Sequence, residues 1–403
     1  MKMVFCCLPS TGNCAFCAEH SRLRSAREEL KNAGPHLGKS PEEVNPAVKT
    51  ALHTLATRFR DGLCSGRACK CRRHQNGLQA EEEADFFQSL SPLVDVCIEN
   101  LLVFDYDERK DVEEVFSTLL RTTHCGRCVE EEWLASDDRA NALRTLVQSY
   151  ADLECGFHIG CMLRACAKHG SLVSVFLEKG LLTNVVEIAA SAPFDIASDA
   201  FATLTSFLTE HKAITAEWLM KNPQFFDVFH AELLSSQANY VTQRQGLRLL
   251  STVLLDCSFS PVMRVYVTRP EFLKRHMQLL LSKSAALRLE SFQTFKLFVA
   301  NPAKPRMIFA YLARNKATLI KLMELLEVTP TSSDQEILGF TQDKRCVLRH
   351  LGNLPDELPS KIKTRRSESC TTTLSAAASD TGSPGVSRVS QSEITVAPTS
   401  EVA

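Results

Sequence analysis

Apolar and polar positions alternate at helical spacing through the middle of the chain, and the same arrangement returns three times. Residues 197–211 (ASDAFATLTSFLTEH), 242–256 (TQRQGLRLLSTVLLD) and 287–301 (LRLESFQTFKLFVAN) follow one another at a spacing of 45 residues. Aligned in this way, Ala202, Leu247 and Phe292 form one apolar column, and Leu208, Val253 and Phe298 form another. Two neighbouring columns lack large apolar residues: Thr203, Arg248 and Gln293, and Ser206, Ser251 and Lys296. Such recurrence predicts amphipathic helices in a common register. A preceding helix repeats too, as FFDVFHAELLSS from Phe225 and FLKRHMQLLLSK from Phe272, 47 residues apart. Weaker copies of the last helix of the unit occur at 111–121 and 155–169.

A period of about 40–47 residues with two or three helices per unit is the armadillo/HEAT signature. One unit cannot bury its apolar stripe alone, whereas stacked units share a continuous core. The expected fold is therefore all-α: an armadillo/HEAT-like, right-handed helical-repeat solenoid with disordered ends. The repeat domain is expected over 39–352, with an insertion at 61–77. Residues 1–38 read as a Cys-rich N-terminal extension, and 353–403 as a disordered tail rich in Ser, Thr and Ala. One helix of each unit should line the concave side. The polar columns are candidates for that lining, and a solvated face without a partner is the alternative.

Composition narrows the function. The chain has 403 residues, 46 basic and 47 acidic, so no global field favours nucleic acid. With 22 Phe against five Tyr and two Trp, the aromatics suit internal packing better than base stacking. Sixteen glycines are few for phosphate-binding loops. No stretch has the roughly 18 uncharged apolar residues of a spanning helix, and Met1 to Ser10 is too short and too rich in cysteine for a signal peptide. A cytoplasmic protein is expected. Its 16 cysteines then read as free thiols, with Cys97, Cys155, Cys161, Cys166 and Cys257 placed in helices as small hydrophobes.

Catalytic patterns are missing: there is no GxxxxGK[ST], GxGxxG after a strand, HExxH or GxSxG. Asp105-Tyr106-Asp107 opens like a calcium loop. However, Arg109, Lys110 and Phe116 stand where a ligand, a glycine and a bidentate glutamate are required. Cys14-x-x-Cys17 with His20, Cys64 to Cys71 with His74, and Cys125-x-x-Cys128 with His124 carry zinc-ligand chemistry. These groups lie in separate segments, so free or redox-sensitive thiols are the preferred reading and no metal or cofactor is assigned. Lys2 excludes myristoylation, and acylation of Cys6-Cys7 alone would anchor weakly. The basic run from Arg67 to His74 lacks interleaved aromatics and reads as a loop.

Several long stretches resemble one family. FDIASDAFATLTSFLTEHK from Phe194, NYVTQRQGLRLLSTVLLD from Asn239 and ESFQTFKLFVANPAKP from Glu290 are similar to the calcium-binding protein 39 family of scaffolds, as are DYDERKDVEEVFSTLL and CGFHIGCMLRAC. The likeness spans most of the chain from Lys39 to Leu351. The Cys-rich N-terminus, the 61–77 insertion, the loop at 123–133 and the Ser/Thr tail depart from it. The resemblance implies a curved armadillo-like stack that is not an enzyme. It implies a concave face that binds a protein kinase or pseudokinase of the Ste20-like class and promotes its active conformation, in cell polarity and morphogenesis. The implied contacts are Phe194, Tyr240, Arg244 and Arg248. A separate pocket for a partner's Trp-x-Phe motif would involve Met277, Leu280 and Phe295. A generic armadillo adaptor for cytoskeletal or transport partners is the alternative, and a thiol redox or zinc protein a third.

Overall fold

Short polar side chains set the helix starts that matter most here. Asp105 accepts from the backbone N–H of Asp107 and Glu108 at 3.1 and 3.2 Å, while the Glu108 carboxylate accepts from the Asp105 N–H at 3.0 Å. This reciprocal pair is a capping box. The Asp105 that opens a calcium-like motif is thus spent on a helix N-terminus. Asn239 accepts from Thr242 N–H at 2.9 Å, and Ser284 from Leu287 N–H at 3.4 Å, in the same role. Each such cap is worth about 1 kcal/mol.

The computed structural model describes residues 46–60, 98–99, 101–121, 123–124, 127–128, 139–327 and 334–355. In chain order the helices are α1 (Pro46–Arg60), α2 (Tyr106–Arg121), α3 (Arg139–Ser149), α4 (Gly156–Ala167), α5 (Gly170–Glu178), α6 (Leu181–Ser191), α7 (Phe194–Thr209) and α8 (Lys212–Lys221). They continue as α9 (Phe225–Leu233), α10 (Tyr240–Leu255), α11 (Ser260–Tyr266), α12 (Pro270–Leu280), α13 (Ala285–Ala300), α14 (Arg306–Arg314), α15 (Lys316–Glu324) and α16 (Asp334–Gly352). The strands Thr123–His124 and Arg127–Cys128 form a short antiparallel pair. The protein is an all-α helical-repeat solenoid. In it, α2, α4, α7, α10, α13 and α16 pack in succession as one ladder, and the remaining helices pack against it or against one another.

Burial fixes the register of the ladder. Phe116, Leu163, Leu204, Leu250 and Phe295 are all buried, as are Leu120, Ala167, Leu208, Leu254 and Val299. Both columns step by 47, 41, 46 and 45 residues. The expected spacing of 45 therefore holds between α10 and α13, where Leu247 and Phe292, and Val253 and Phe298, are paired in the core. Between α7 and α10 it is one residue short. A one-residue slip turns a helix by about 100°. Consequently Phe201, not Ala202, shares the buried column of Leu247 and Phe292, and Ala202 is exposed.

The proposed polar columns are corrected accordingly. Thr203 is fully buried, Ser251 is buried with its hydroxyl donating to the Arg248 carbonyl at 2.9 Å, and Ser206, Gln293 and Lys296 are half-buried. Arg248 alone of the six is well exposed. Among the cysteines, Cys155 and Cys166 are core residues as expected, but Cys161 is half-buried and Cys257 exposed. Cys97, Cys14, Cys17, Cys64, Cys71 and Cys125 lie outside the described residues, as do the 1–38 extension, the 61–77 insertion and the tail beyond Pro355.

Candidate functional site

Tyr240 is the first residue of α10, held there by the Asn239 cap, and Phe194 is the first residue of α7. Both rings stand exposed on the ladder. From Tyr240, steps of four residues place Arg244 and Arg248 on the same side of α10, one turn apart. Leu247, Leu250 and Leu254 point the other way, into the core. Tyr240, Arg244 and Arg248 together with Phe201, Ala202 and Thr205 of α7 line a cavity of about 580 Å³. A second cavity of about 390 Å³ lies between Phe194 and Tyr240. The structure thus brings the four residues of the expected kinase-binding set onto one surface.

The electrostatics of that surface involve a residue the sequence reading missed. Glu290 of α13 faces both arginines, at 3.9 Å from Arg244 Nε and 3.8 Å from Arg248 Nε. These separations exceed hydrogen-bond range, so the guanidinium donors remain available to an incoming oxyanion. Burial raises the Glu290 carboxyl above its ordinary value, and the two arginines act against that shift. Two cations against one anion leave the cavity net positive.

Beneath the surface a polar network joins α7 to α4. Tyr150 donates to Asp199 Oδ2 at 2.7 Å and lies 2.7 Å from the Thr203 hydroxyl. Its one O–H is used on the carboxylate, so Thr203 donates to it. Arg164 reaches both Asp199 Oδ1 at 2.9 Å and Thr203 Oγ1 at 3.0 Å. The network fits only because position 160 has no side chain: a Cβ there would lie 1.8 Å from Asp199 Oδ2.

The second expected site is placed differently from the first. Leu280 and Phe295 are buried in the core and present no surface to a peptide. Met277, on α12, is half-buried and packs against that core. Behind α12 lies a buried chain of hydrogen bonds. Ser291 donates to the His276 carbonyl at 3.1 Å, and its oxygen lies 3.3 Å from His276 Nδ1. His276 therefore carries its proton on Nδ1 and accepts at Nε2 from Tyr266, 2.8 Å away. Tyr266 in turn accepts from His230 Nε2 at 2.7 Å.

Burial holds His230 down at about 3, against an ordinary value near 6.5, and depresses His276 as well. Both are neutral in the folded state but protonate when unfolded below pH 6.5. A depressed pKa contributes stability that is complete above the unfolded value and is lost as the pH falls towards the folded one. Unfolding in urea is therefore expected to become easier from about pH 6.5 downwards. The loss should be about 1.4 kcal/mol per pH unit for His230. Its replacement by Gln should flatten that slope, and an unchanged slope would assign the acid sensitivity elsewhere.

Among the described residues no three His, Cys, Asp or Glu side chains converge as metal ligands, and no helix is long and apolar enough to cross a membrane.

Comparison with known proteins adds a family. The profile of a family described as Mo25-like matches residues 75–355. The chain is 32% identical over 291 residues to mouse "Calcium-binding protein 39-like", covering 72% of this chain and 84% of that protein. It is 32% identical over 282 residues to "Mo25-like protein" of Schizosaccharomyces pombe, covering 68% and 84%. With "MO25-like protein 2" of Caenorhabditis elegans it shares 35% over 260 residues, covering 64% and 75%.

Proposed function

The chain belongs to the Mo25-like family of calcium-binding protein 39 relatives, and from that premise we propose that it is a non-catalytic scaffold for a protein kinase or pseudokinase of the Ste20-like class. The observation that carries this reading is the surface on α7 and α10. There the exposed ring of Tyr240 and two arginines border one net-positive cavity, and the exposed ring of Phe194 borders a second cavity that shares Tyr240. Arginine forks grip carboxylates through charge-assisted hydrogen bonds, and tyrosine and arginine are enriched among the residues that dominate binding at protein interfaces. A protein that holds a kinase active does so by binding the active conformation more tightly than the inactive one. Reversing a 1:99 equilibrium takes about 5.5 kcal/mol of difference, which a surface several helices wide supplies through many modest contacts.

Met277 supports a second, smaller contact. It is the one residue of the expected peptide pocket with surface to offer, and its flexible thioether suits an aromatic anchor such as that of a Trp-x-Phe motif. The cytoplasm and a role in cell polarity belong to the same proposal.

The test is affinity capture with the full chain from cytosol, followed by the catalytic rate of the captured kinase with and without it. A Ste20-like kinase or pseudokinase among the partners, with a rate that rises on addition, is expected. Met277→Ala should weaken capture of a partner carrying the aromatic motif about tenfold, while leaving the rate unchanged when both proteins are concentrated. Capture without any change in rate would favour the generic adaptor for cytoskeletal or transport partners.

A further inference from the structure

Two successive junctions between helices outside the ladder are built alike but end differently. Where α8 and α9 meet α11 and α12, Met220, Val262, Val265 and Tyr266 border a space of only about 10 Å³. Phe226 fills it, its ring edge to face with Tyr266 at 5.1 Å between centroids. Arg269 closes the rim: its guanidinium lies 4.9 Å over the Phe272 ring and 2.7 Å from Asp227 of α9. Where α5 and α6 meet α8 and α9, Ile214, Glu217, Trp218 and Lys221 stand 48 residues before Val262, Val265, Tyr266 and Arg269. Here the α6 side offers Gly180 and Thr183 rather than an aromatic ring, and a cavity of about 570 Å³ stays open. Lys221 does not bridge the two helix pairs as Arg269 does; it turns back to Glu217 on its own helix, at 2.7 Å. Glu178, on the α5 side of the cavity, has no ion-pair partner among the described residues.

The hydrogen bonds of the lining select an occupant. Ser174 and Thr183 donate their hydroxyl protons to the Gly170 and Gly180 carbonyls, Asn222 donates its amide to the Trp218 carbonyl, and Gln224 donates to Asn222. With these donors engaged, acceptors face the space, the Glu178 carboxylate foremost. Beside them stands the half-buried Trp218 ring, edge to face with Phe225 at 5.6 Å. Two carboxylates against one ammonium leave the lining net negative. Next to it, exposed Lys179 and Glu187 offset each other, and Asp227 is already paired with Arg269. An acceptor-rich, net-negative space beside an indole suits a flat cation with many donors. A guanidinium has five N–H donors in one plane and stacks on aromatic rings, whereas an ammonium is a compact, strongly hydrated point charge. We propose that this cavity binds an arginine side chain of a partner protein, which takes between α5 and α8 the part that Arg269 takes one junction on. The site lies outside the ladder, so it is separate from the α7 and α10 surface and does not rest on the partner being a kinase.

The probe is an end-capped peptide, Gly-Ser-Ala-Arg-Ala-Ser, titrated into the full chain carrying Trp133→Phe, which leaves Trp218 as the one tryptophan reporter. Its emission should change saturably with a dissociation constant below about 1 mM, and calorimetry on the unaltered chain should give the same constant. Peptides with lysine, citrulline or phenylalanine in place of the arginine should bind at least about fivefold more weakly. Citrulline is the sharpest of these controls, because it keeps the shape and loses the charge. Glu178→Gln should weaken the arginine peptide about fivefold, the scale of an exposed ion pair. It should keep the parent's circular dichroism and melting temperature, because the side chain is exposed. Thr183→Phe, which puts a ring into the space, should abolish binding. No emission change, equal affinity for the arginine and citrulline peptides, or parental affinity in a folded Glu178→Gln chain would each overturn the proposal. So would tighter binding of the phenylalanine peptide, since the cavity would then take a ring, as the next junction takes Phe226. If Arg365→Ala/Arg366→Ala in the full chain raises the peptide's affinity, the occupant is the chain's own basic run and the partner assignment falls.

Discussion

Replacing Gly160 by alanine is expected to destabilise the protein by about 3–5 kcal/mol, a loss of the size seen when a buried ion pair is broken. The new methyl would lie 1.8 Å from Asp199 Oδ2 and 2.8 Å from the Tyr150 hydroxyl, so one or both must move. Movement of a free carboxylate would be cheap, but both oxygens of this one are held. It accepts from Tyr150 and pairs with Arg164, which also holds Thr203. Displacing Asp199 leaves a buried phenol and a half-buried guanidinium without their anion, at the junction between two units of the ladder. Urea unfolding of Gly160→Ala against the parent measures the effect. A variant within about 0.5 kcal/mol of the parent would show that α4 and α7 do not approach as described. Because each unit of a solenoid touches only its neighbours, the N-terminal units should lose protection from hydrogen exchange before those around α13.

Arg244→Glu is expected to abolish activation of the captured kinase while leaving the fold intact. The side chain is exposed and contributes little to the core. Its charge, however, is half of the cationic pair that faces Glu290. Reversal turns two cations against one anion into one cation against two anions. A partner carboxylate then meets repulsion where it needs a donor, which costs about 2–5 kcal/mol of binding. Arg244→Gln should fall between the two, since it removes the charge without reversing it. The catalytic rate of the partner, titrated with each variant, gives the order parent, Gln, Glu. A folded Arg244→Glu protein that activates like the parent would disprove the arginine-based mechanism whatever else the family does.

The helices, their amphipathic character and the all-α repeat were legible from the chain itself, because 3.6-residue periodicity is a local property and each copy carries it. The match between α10 and α13 was legible too, since both apolar columns coincide without a gap. The step between α7 and α10 was not. Apolar residues come in adjacent pairs, such as Phe201-Ala202 and Phe207-Leu208, so an alignment slipped by one still sets apolar on apolar. Only the packing of the neighbouring helix distinguishes the buried Phe201 from the exposed Ala202.

The same limit separates the site residues. Tyr240, Arg244 and Arg248 share a side because they are four apart on one helix, and that needs no tertiary information. Glu290 approaches them from α13, and Tyr150, Arg164, Asp199 and Thr203 meet from three different segments. Nothing in their local spacing announces either cluster. Leu280 and Phe295 are pocket residues by family resemblance alone and are buried, as their apolar pattern by itself suits, while Tyr106 and Leu153 resemble core residues but are exposed. Hydrophobicity says that a side chain gains by leaving water. Which side chains succeed, and which are left facing outward to be covered by something else, is decided by the stacking of one unit on the next.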